Sequence, residues 1–277
     1  MGKKIKLIHK AKIKSVRAKA LGISRKNIYR ESQLEVKDKL LKKDIGLVHD
    51  EHPAYGHRRV AWELGINPKR ALRVMKKFGI KPPRRKVKKH WCTVSTSNHV
   101  YTNLIQDLDV NQPHQVWSSD LSYIKFQGQF WYLATIEDIC TRQVMAVQVG
   151  KQHNAQLVLT TLKQALKLNV PQYFHSDQGT EFMARICTDY LEKYGVGVSV
   201  SDAGSPWQNG YQESFFGRFK EEFGDFNRCN HIGELIEEIY SQVYYYNFKR
   251  RHTAFKVSPV DYAASKYSDY CLHKRGA

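Results

Sequence analysis

The chain has 277 residues, 42% of them hydrophobic and 26% charged, with a formal net charge of +19. That length gives room for one large domain or two modest ones with a real core. It excludes a membrane-embedded chain, since no apolar run approaches the length of a bilayer span, and a disulfide-stapled one, since Cys92, Cys140, Cys187, Cys229 and Cys271 are odd in number and widely spaced. The start, Met1-Gly2-Lys3-Lys4-Ile5-Lys6, runs on into more lysines rather than an apolar stretch, so no secretory leader is expected. Unpaired thiols suit a reducing cytoplasm.

The placement of the charge says more than its size. Residues 1–110 hold 28 Lys and Arg against 9 Asp and Glu, whereas residues 111–277 hold 17 of each. All the excess lies in the N-terminal two-fifths. A basic segment of this kind implies either a polyanionic partner, bound with release of its counterions, or a solvated tail.

Residues 1–80 read as short helices separated by turn signals. In Ala18-Lys19-Ala20-Leu21-Gly22-Ile23-Ser24-Arg25-Lys26-Asn27 a helix meets a Gly turn, and Ser24 can cap a second, basic helix. A second unit spans residues 55–77: Gly65 breaks it, Asn67 caps, Pro68 takes the first turn, and Leu72, Met75 and Phe78 recur on one face. Two helix-turn-helix units under this much charge favour DNA binding over plain helical hairpins. Candidate contacts are Arg25, Lys26, Arg58, Arg59, Lys69, Arg70 and Arg73. Residues 81–116 read as a basic linker, in which Pro82 and Pro83 prevent helix and Arg84, Arg85 and Lys86 track phosphates or simply stay solvated.

From residue 117 strand and helix patterns alternate. Strands are predicted over 119–126, 131–139, 143–149, 171–175 and 196–200, with Gly128 in a turn and Met145, Val147 and Val149 sharing one face. Helices are predicted over 155–168 and 181–194, and a third opens near Ser205, with Ser205 and Gln208 as a capping box. Three strands, then helix, strand, helix, strand, helix is the element order of the RNase H-like fold. The expected architecture is therefore an α/β catalytic core over 117–277, with a C-terminal helical tail, behind an all-α helix-turn-helix region.

Three acids stand out within that core. Asp120 lies in a predicted strand where Ser118, Asp120 and Ser122 share a face, and a lone Asp in a strand is unfavourable by propensity. Asp177 lies at a strand exit, where open α/β sheets bind ligands. Glu213 lies on the helix after Ser205, with Lys220 two turns further along nearly the same face. Each acid alone reads equally well as an ordinary turn or edge residue; three brought together could hold two divalent cations. Lys220 would then receive phosphate, or else pair with Glu221 or Glu222. His175 faces the scissile phosphate or packs behind Asp177. Glu137 and Asp138 read as structural. Lys249, Arg250 and Arg251 are phosphate contacts or the basic end of a packed helix.

The strings from Trp117 to Ile124, His175 to Gly179 and Gly204 to Phe216 closely resemble the DDE integrase-core transposases of insertion sequences, in particular the IS-three group, relatives of retroviral integrases. Leu21 to Arg25, His52 to Arg59 and Tyr246 to Phe255 resemble the same group. The resemblance implies that Asp120, Asp177 and Glu213 form a catalytic triad holding two Mg²⁺ ions, with Mn²⁺ tolerated. It implies cleavage at the ends of a mobile element followed by strand transfer, on double-stranded DNA comprising the terminal repeats and a target, by a dimer or larger assembly at the nucleoid. No equivalent of the retroviral His/Cys zinc spacing is present, so zinc is not expected. Two rivals remain: a nuclease of the same fold that cuts without joining, and a DNA-binding repressor without catalysis.

Overall fold

The computed structural model describes residues 14–24, 32–83, 101–202 and 205–267. The chain divides into two compact units, Met1–Lys81 and Pro82–Ala277.

In the first unit, helix α1 (Lys14–Ala20) ends at Gly22, whose φ of 65° lets the chain reverse, and Ile23 N–H closes the turn on Ala18 O. The basic helix expected after Ser24, with Arg25 and Lys26, lies outside the described residues. Helices α2 (Gln33–Glu51), α3 (His57–Glu63) and α4 (Pro68–Lys77) pack Leu41, Ile45, Val48, Val60, Ala71, Val74 and Met75 into one core. The second unit forms as its sequence signals: Gly65 sits at φ 61°, Asn67 Oδ1 accepts from Lys69 N–H, and Pro68 opens α4. The inward face of α4 is Ala71, Val74 and Met75, with Leu72 only half-buried.

One polar group is built into this core. Asp38, 1% exposed, accepts a two-pronged bond from the Arg73 guanidinium and another from Lys77. Arg73 first, then Lys77, hold its carboxyl well below the usual carboxylate range. A depressed folded-state pKa stabilises above the unfolded value near 4 and loses that contribution as pH falls through the acid range. Asp38→Asn is therefore expected to lower the thermal midpoint of the chain at pH 7, with the gap to the parent closing as both are melted at progressively lower pH.

The second unit is a five-stranded sheet in the order β3-β2-β1-β4-β5. Strands β1 (Val116–Phe126), β2 (Gln129–Asp138) and β3 (Val144–Gly150) pair antiparallel, while β4 (Tyr173–Ser176) and β5 (Gly197–Val200) run parallel to β1. Gln127 and Gly128, both at positive φ, turn β1 into β2. Helices α5 (Ala155–Ala165) and α6 (Arg185–Lys193) cover one face, packing Val158, Leu162 and Leu191 on Trp117, Ile136 and Phe174. Helices α7 (Gly210–Phe223) and α8 (Ile232–Phe248) cover the other, packing Phe215, Phe219, Leu235 and Ile239 on Ile124, Phe126 and Leu133. Helix α9 (Pro259–Lys266) opens with a Ser258 cap and packs on α8. The combination is an RNase H-like α/β core.

Three local expectations change. A bulge opposite Ile136/Glu137 inserts Met145 as an extra residue, so it joins the α5 side while Val147 and Val149 pack on the α7–α8 side. Residues 101–104 of the expected linker lie on the sheet: Val200 N–H donates to Thr102 O, and Leu104 N–H to Ser199 Oγ. Arg84, Arg85 and Lys86 lie outside the described residues. The capping box at Ser205 does not form, because Gln208 turns back to Asp202, accepting from its N–H and donating to its carboxylate. Pro206–Asn209 is instead one 3₁₀ turn ahead of α7, which places Glu213 in the first helical turn.

Candidate active site

Alternation along β1 sends Trp117 and Leu121 to the α5–α6 side and Ser118, Asp120 and Ser122 to the α7 side. Strand β4 runs parallel to β1 with Ser118 opposite His175. Asp177 directly follows the last residue of β4, two residues beyond His175, as Asp120 is two residues beyond Ser118 on β1. The Asp177 carboxylate is exposed, and its Oδ1 accepts from Gly179 N–H at 3.0 Å.

Two side chains bolt the start of α7 to β1. Gln212, fully buried, donates through Nε2 to Ser118 O at 2.7 Å and accepts through Oε1 from Thr135 Oγ1 at 2.9 Å. Asn209 Nδ2 donates to Ser119 O at 3.3 Å. Gln212, next to Glu213, and Asn209, at the start of the helix, are thus held to the two β1 carbonyls that precede Asp120. Arg142 adds a third restraint by stacking its guanidinium 3.5 Å over the Tyr211 ring. Sequence reading missed Gln212, since one amide in an amphipathic helix carries no signal of its own. Gln212→Leu would strand the Thr135 hydroxyl and Ser118 carbonyl. A loss of about 1–3 kcal/mol in urea unfolding is expected, because α7 loses its register on β1.

The electrostatics of this corner follow from crowding. Asp120 is held up to about 7, by burial first and then by the charge of Asp177, with Glu213 and Glu181 adding to it. The Leu121 N–H on its Oδ1 pulls the other way. The charges of four acids therefore act together at one end of the sheet, and Asp120 cannot ionise cheaply beside the others without a cation. Among the described residues, no three His, Cys, Asp or Glu side chains already stand at ligating distances. The donor set, all carboxylate, nevertheless fits a hard divalent ion.

The neighbouring candidates fall into place individually. His175 is fully buried, with Nδ1 on Ser199 Oγ at 3.0 Å and Nε2 on Ser201 Oγ at 3.2 Å, and burial brings it down to about 4. It is a neutral packing histidine behind Asp177. Asp138 caps the β2–β3 turn by accepting from Cys140 and Thr141 N–H, and Glu137 is buried. Lys220 Nζ lies 2.6 Å from Ser122 Oγ and 2.8 Å from Tyr123 O, so it reaches the same face of β1 as Asp120.

Arg250 requires correction as a phosphate contact. It is 2% exposed and its Nε reaches both oxygens of Glu222, so it braces α7 against the end of α8. Arg73 is likewise engaged with Asp38. Arg251 donates to Lys256 O. Arg58, Lys69 and Arg70 are exposed on the helical unit, and Arg59 stacks on Tyr55. No described helix is long and apolar enough to cross a membrane.

Two profiles described as integrase core domain match residues 110–206 and 194–259. The chain is 31% identical to the "Insertion element IS600 uncharacterized 31 kDa protein" of Shigella sonnei, over 86% of this chain and 94% of that one. It is 28% identical to the "Transposase for insertion sequence element IS904" of Lactococcus lactis, over 84% and 97%. In fold it resembles a chain of the cryo-electron-microscopy structure of a simian T-cell lymphotropic virus intasome in complex with PP2A regulatory subunit B56 gamma. That likeness has a TM-score of 0.53 and 13% identity, and covers 84% of this chain and 79% of that one. With integrase-core matches spanning its sheet and helices and a relative aligned across nearly its whole length, the chain belongs to the insertion-sequence transposases built on an integrase core.

Proposed function

We propose that this transposase cleaves DNA at the ends of its element and joins the freed 3′-hydroxyl to a target phosphodiester, with Asp120, Asp177 and Glu213 as its catalytic acids. The reading is supported by the negative charges of Asp177 and Glu213 acting on Asp120, with Asp177 just beyond β4 and Glu213 in the first turn of α7. Two divalent ions held by these three carboxylates, Mg²⁺ with Mn²⁺ as a substitute, would supply activation of the attacking oxygen and neutralisation of charge on the leaving one. The protein's own contribution is placement. Gly179 N–H fixes Asp177, Gln212 and Asn209 fix the helix of Glu213, and Asp120 gives up its proton when cations are present.

Lys220 is suited to hold a phosphate near this centre, since its ammonium is already directed to the Asp120 face of β1. Base recognition belongs to the helical unit, where Arg58, Lys69 and Arg70 are exposed, because a site gripping phosphates carries no sequence information. Two ends must be brought together, so the working form is a dimer or larger assembly on double-stranded DNA.

The test is a reaction of the purified chain with labelled element ends and Mg²⁺. Joined products support the transposase. Cleavage without joining would indicate a nuclease, and a mobility shift with no chemistry a repressor.

A further inference from the structure

A fourth carboxylate, Glu181, adds to the charge acting on Asp120 but is not one of the three proposed catalytic acids. Glu181 lies one helical-turn length after Asp177, in the loop that follows β4. Its side chain is only 10% exposed, and its Oε1 is 3.2 Å from Nε2 of His153. His153 comes from a different part of the chain, the segment between β3 and α5. It is braced there on two sides. Its ring meets Tyr132 of β2 edge-on, with centroids 5.1 Å apart, and the next residue, Asn154, caps α5 through Leu157 N–H. His153, whose side chain is 44% exposed, is thus the surface partner of the more buried Glu181.

The held carboxylate overhangs the same backbone as Asp177. A Cβ at Gly179 would stand 2.7 Å from Glu181 Oε1 and 3.0 Å from Asp177 Oδ1, so both side chains close over that glycine. Two like charges so near each other raise the energy of the loop, and His153 at 3.2 Å and the Thr180 hydroxyl at 3.5 Å offset that on the Glu181 side. Glu181 also acts on Asp120, in the same sense as Asp177 and Glu213. The histidine restrains a carboxylate that its neighbours repel, and restrains it at the edge of the acidic corner rather than letting it swing to solvent.

We infer that Glu181, held by His153, is a positioning residue of the cation site, adding a fourth negative charge at its edge and fixing the Gly179 loop that orients Asp177. The inference rests on the transposase reading of that site. Groups around the ligands of a metal govern its affinity by about 10–100-fold, and Glu181 flanks Asp177 across Gly179 and adds its charge to the field at Asp120. A mere strut between two loops would affect stability and leave cation binding alone.

The experiment is Mn²⁺ binding to the full-length, DNA-free protein, followed by the electron paramagnetic resonance of free Mn²⁺, with thermal melting of each variant alongside. Glu181→Gln keeps the shape and a hydrogen bond to His153 but removes the charge. It is expected to weaken Mn²⁺ binding by about 10–100-fold with little change in the cation-free melting midpoint. His153→Gln should weaken binding in the same direction and by less, and the double variant should be no worse than Glu181→Gln alone. Mn²⁺ affinity within twofold of the parent for Glu181→Gln, or a loss of melting temperature with unchanged affinity, overturns the inference. Asp177→Asn separates the two readings. If it weakens Mn²⁺ binding and Glu181→Gln does not, only the role of Glu181 falls; if neither does, the three-acid site falls with it.

Discussion

Asp177→Asn is expected to reduce cleavage and joining by about 10³-fold or more, equivalent to about 4 kcal/mol of barrier, while binding of element ends stays near that of the parent. The substitution is nearly isosteric. An Asn carbonyl can still accept the Gly179 N–H bond now taken by Oδ1, so the loop should keep its course and the fold its stability. What disappears is one negative charge at the corner shared with Asp120 and Glu213. The same change carries an independent signature. Asp177 is the largest charged contributor to the raised pKa of Asp120, so its neutralisation should bring Asp120 down from about 7 towards the ordinary carboxylate range. Titration of Asp120 by carbon-13 NMR in the cation-free protein would report that shift without any turnover. End binding, which the proposed function assigns to Lys and Arg of the helical unit, should show an unchanged salt slope in mobility-shift assays. Substantial joining by the variant would remove Asp177 from the chemistry, and an unmoved Asp120 would remove it from the corner.

Much of this architecture is legible in the residues because two periodicities coincide with one another. Alternation along β1 separates Trp117 and Leu121 from Ser118 and Asp120, and the five strands appear within a residue or three of their expected bounds. The helical unit is legible at Gly65, Asn67 and Pro68 because each has a local conformational reason to be there. The failures have equally local causes. Met145 changes face because a bulge depends on the partner strand, which alternation within β3 cannot reveal. Helix α2, 19 residues long, was hidden because its exposed Leu34, Leu40 and Leu47 blur the stripe made by Leu41, Ile45 and Val48. Ser205 and Gln208 have the spacing of a capping box, but Asp202 offers Gln208 two bonds at once. The proposed catalytic acids are marked in the sequence by their surrounding strings. Gln212, His153 and Glu181 were not, since their roles arise only from contacts with residues distant in sequence.

Arg250 is where the same local reading most needs a measurement, because the sequence leaves it as a phosphate contact or the basic end of a packed helix, and the structure engages it as an internal brace. Its side chain is 2% exposed and that of Glu222 is 8% exposed, and its Nε lies 2.8 and 2.7 Å from the two carboxylate oxygens. The guanidinium also lies over the Tyr246 ring, 5.4 Å from its centroid. Truncation to alanine removes the cation and leaves Glu222 buried without it. Breaking a buried pair from one side costs about 3–5 kcal/mol, a large part of the stability of a domain this size. Arg250→Ala is therefore expected to shift urea unfolding by that amount. Arg250→Lys, which keeps the charge but displaces the donor that Nε offers to both Glu222 oxygens, should fall between the parent and the alanine variant. Under conditions where the variant remains folded, its affinity for element ends and the salt dependence of that affinity should match the parent. A phosphate contact predicts the reverse: unchanged unfolding, weaker binding and a salt slope shallower by about one. The two outcomes do not overlap, since a side chain enclosed between α7 and the end of α8 cannot reach a phosphate without first breaking the packing that its loss would reveal.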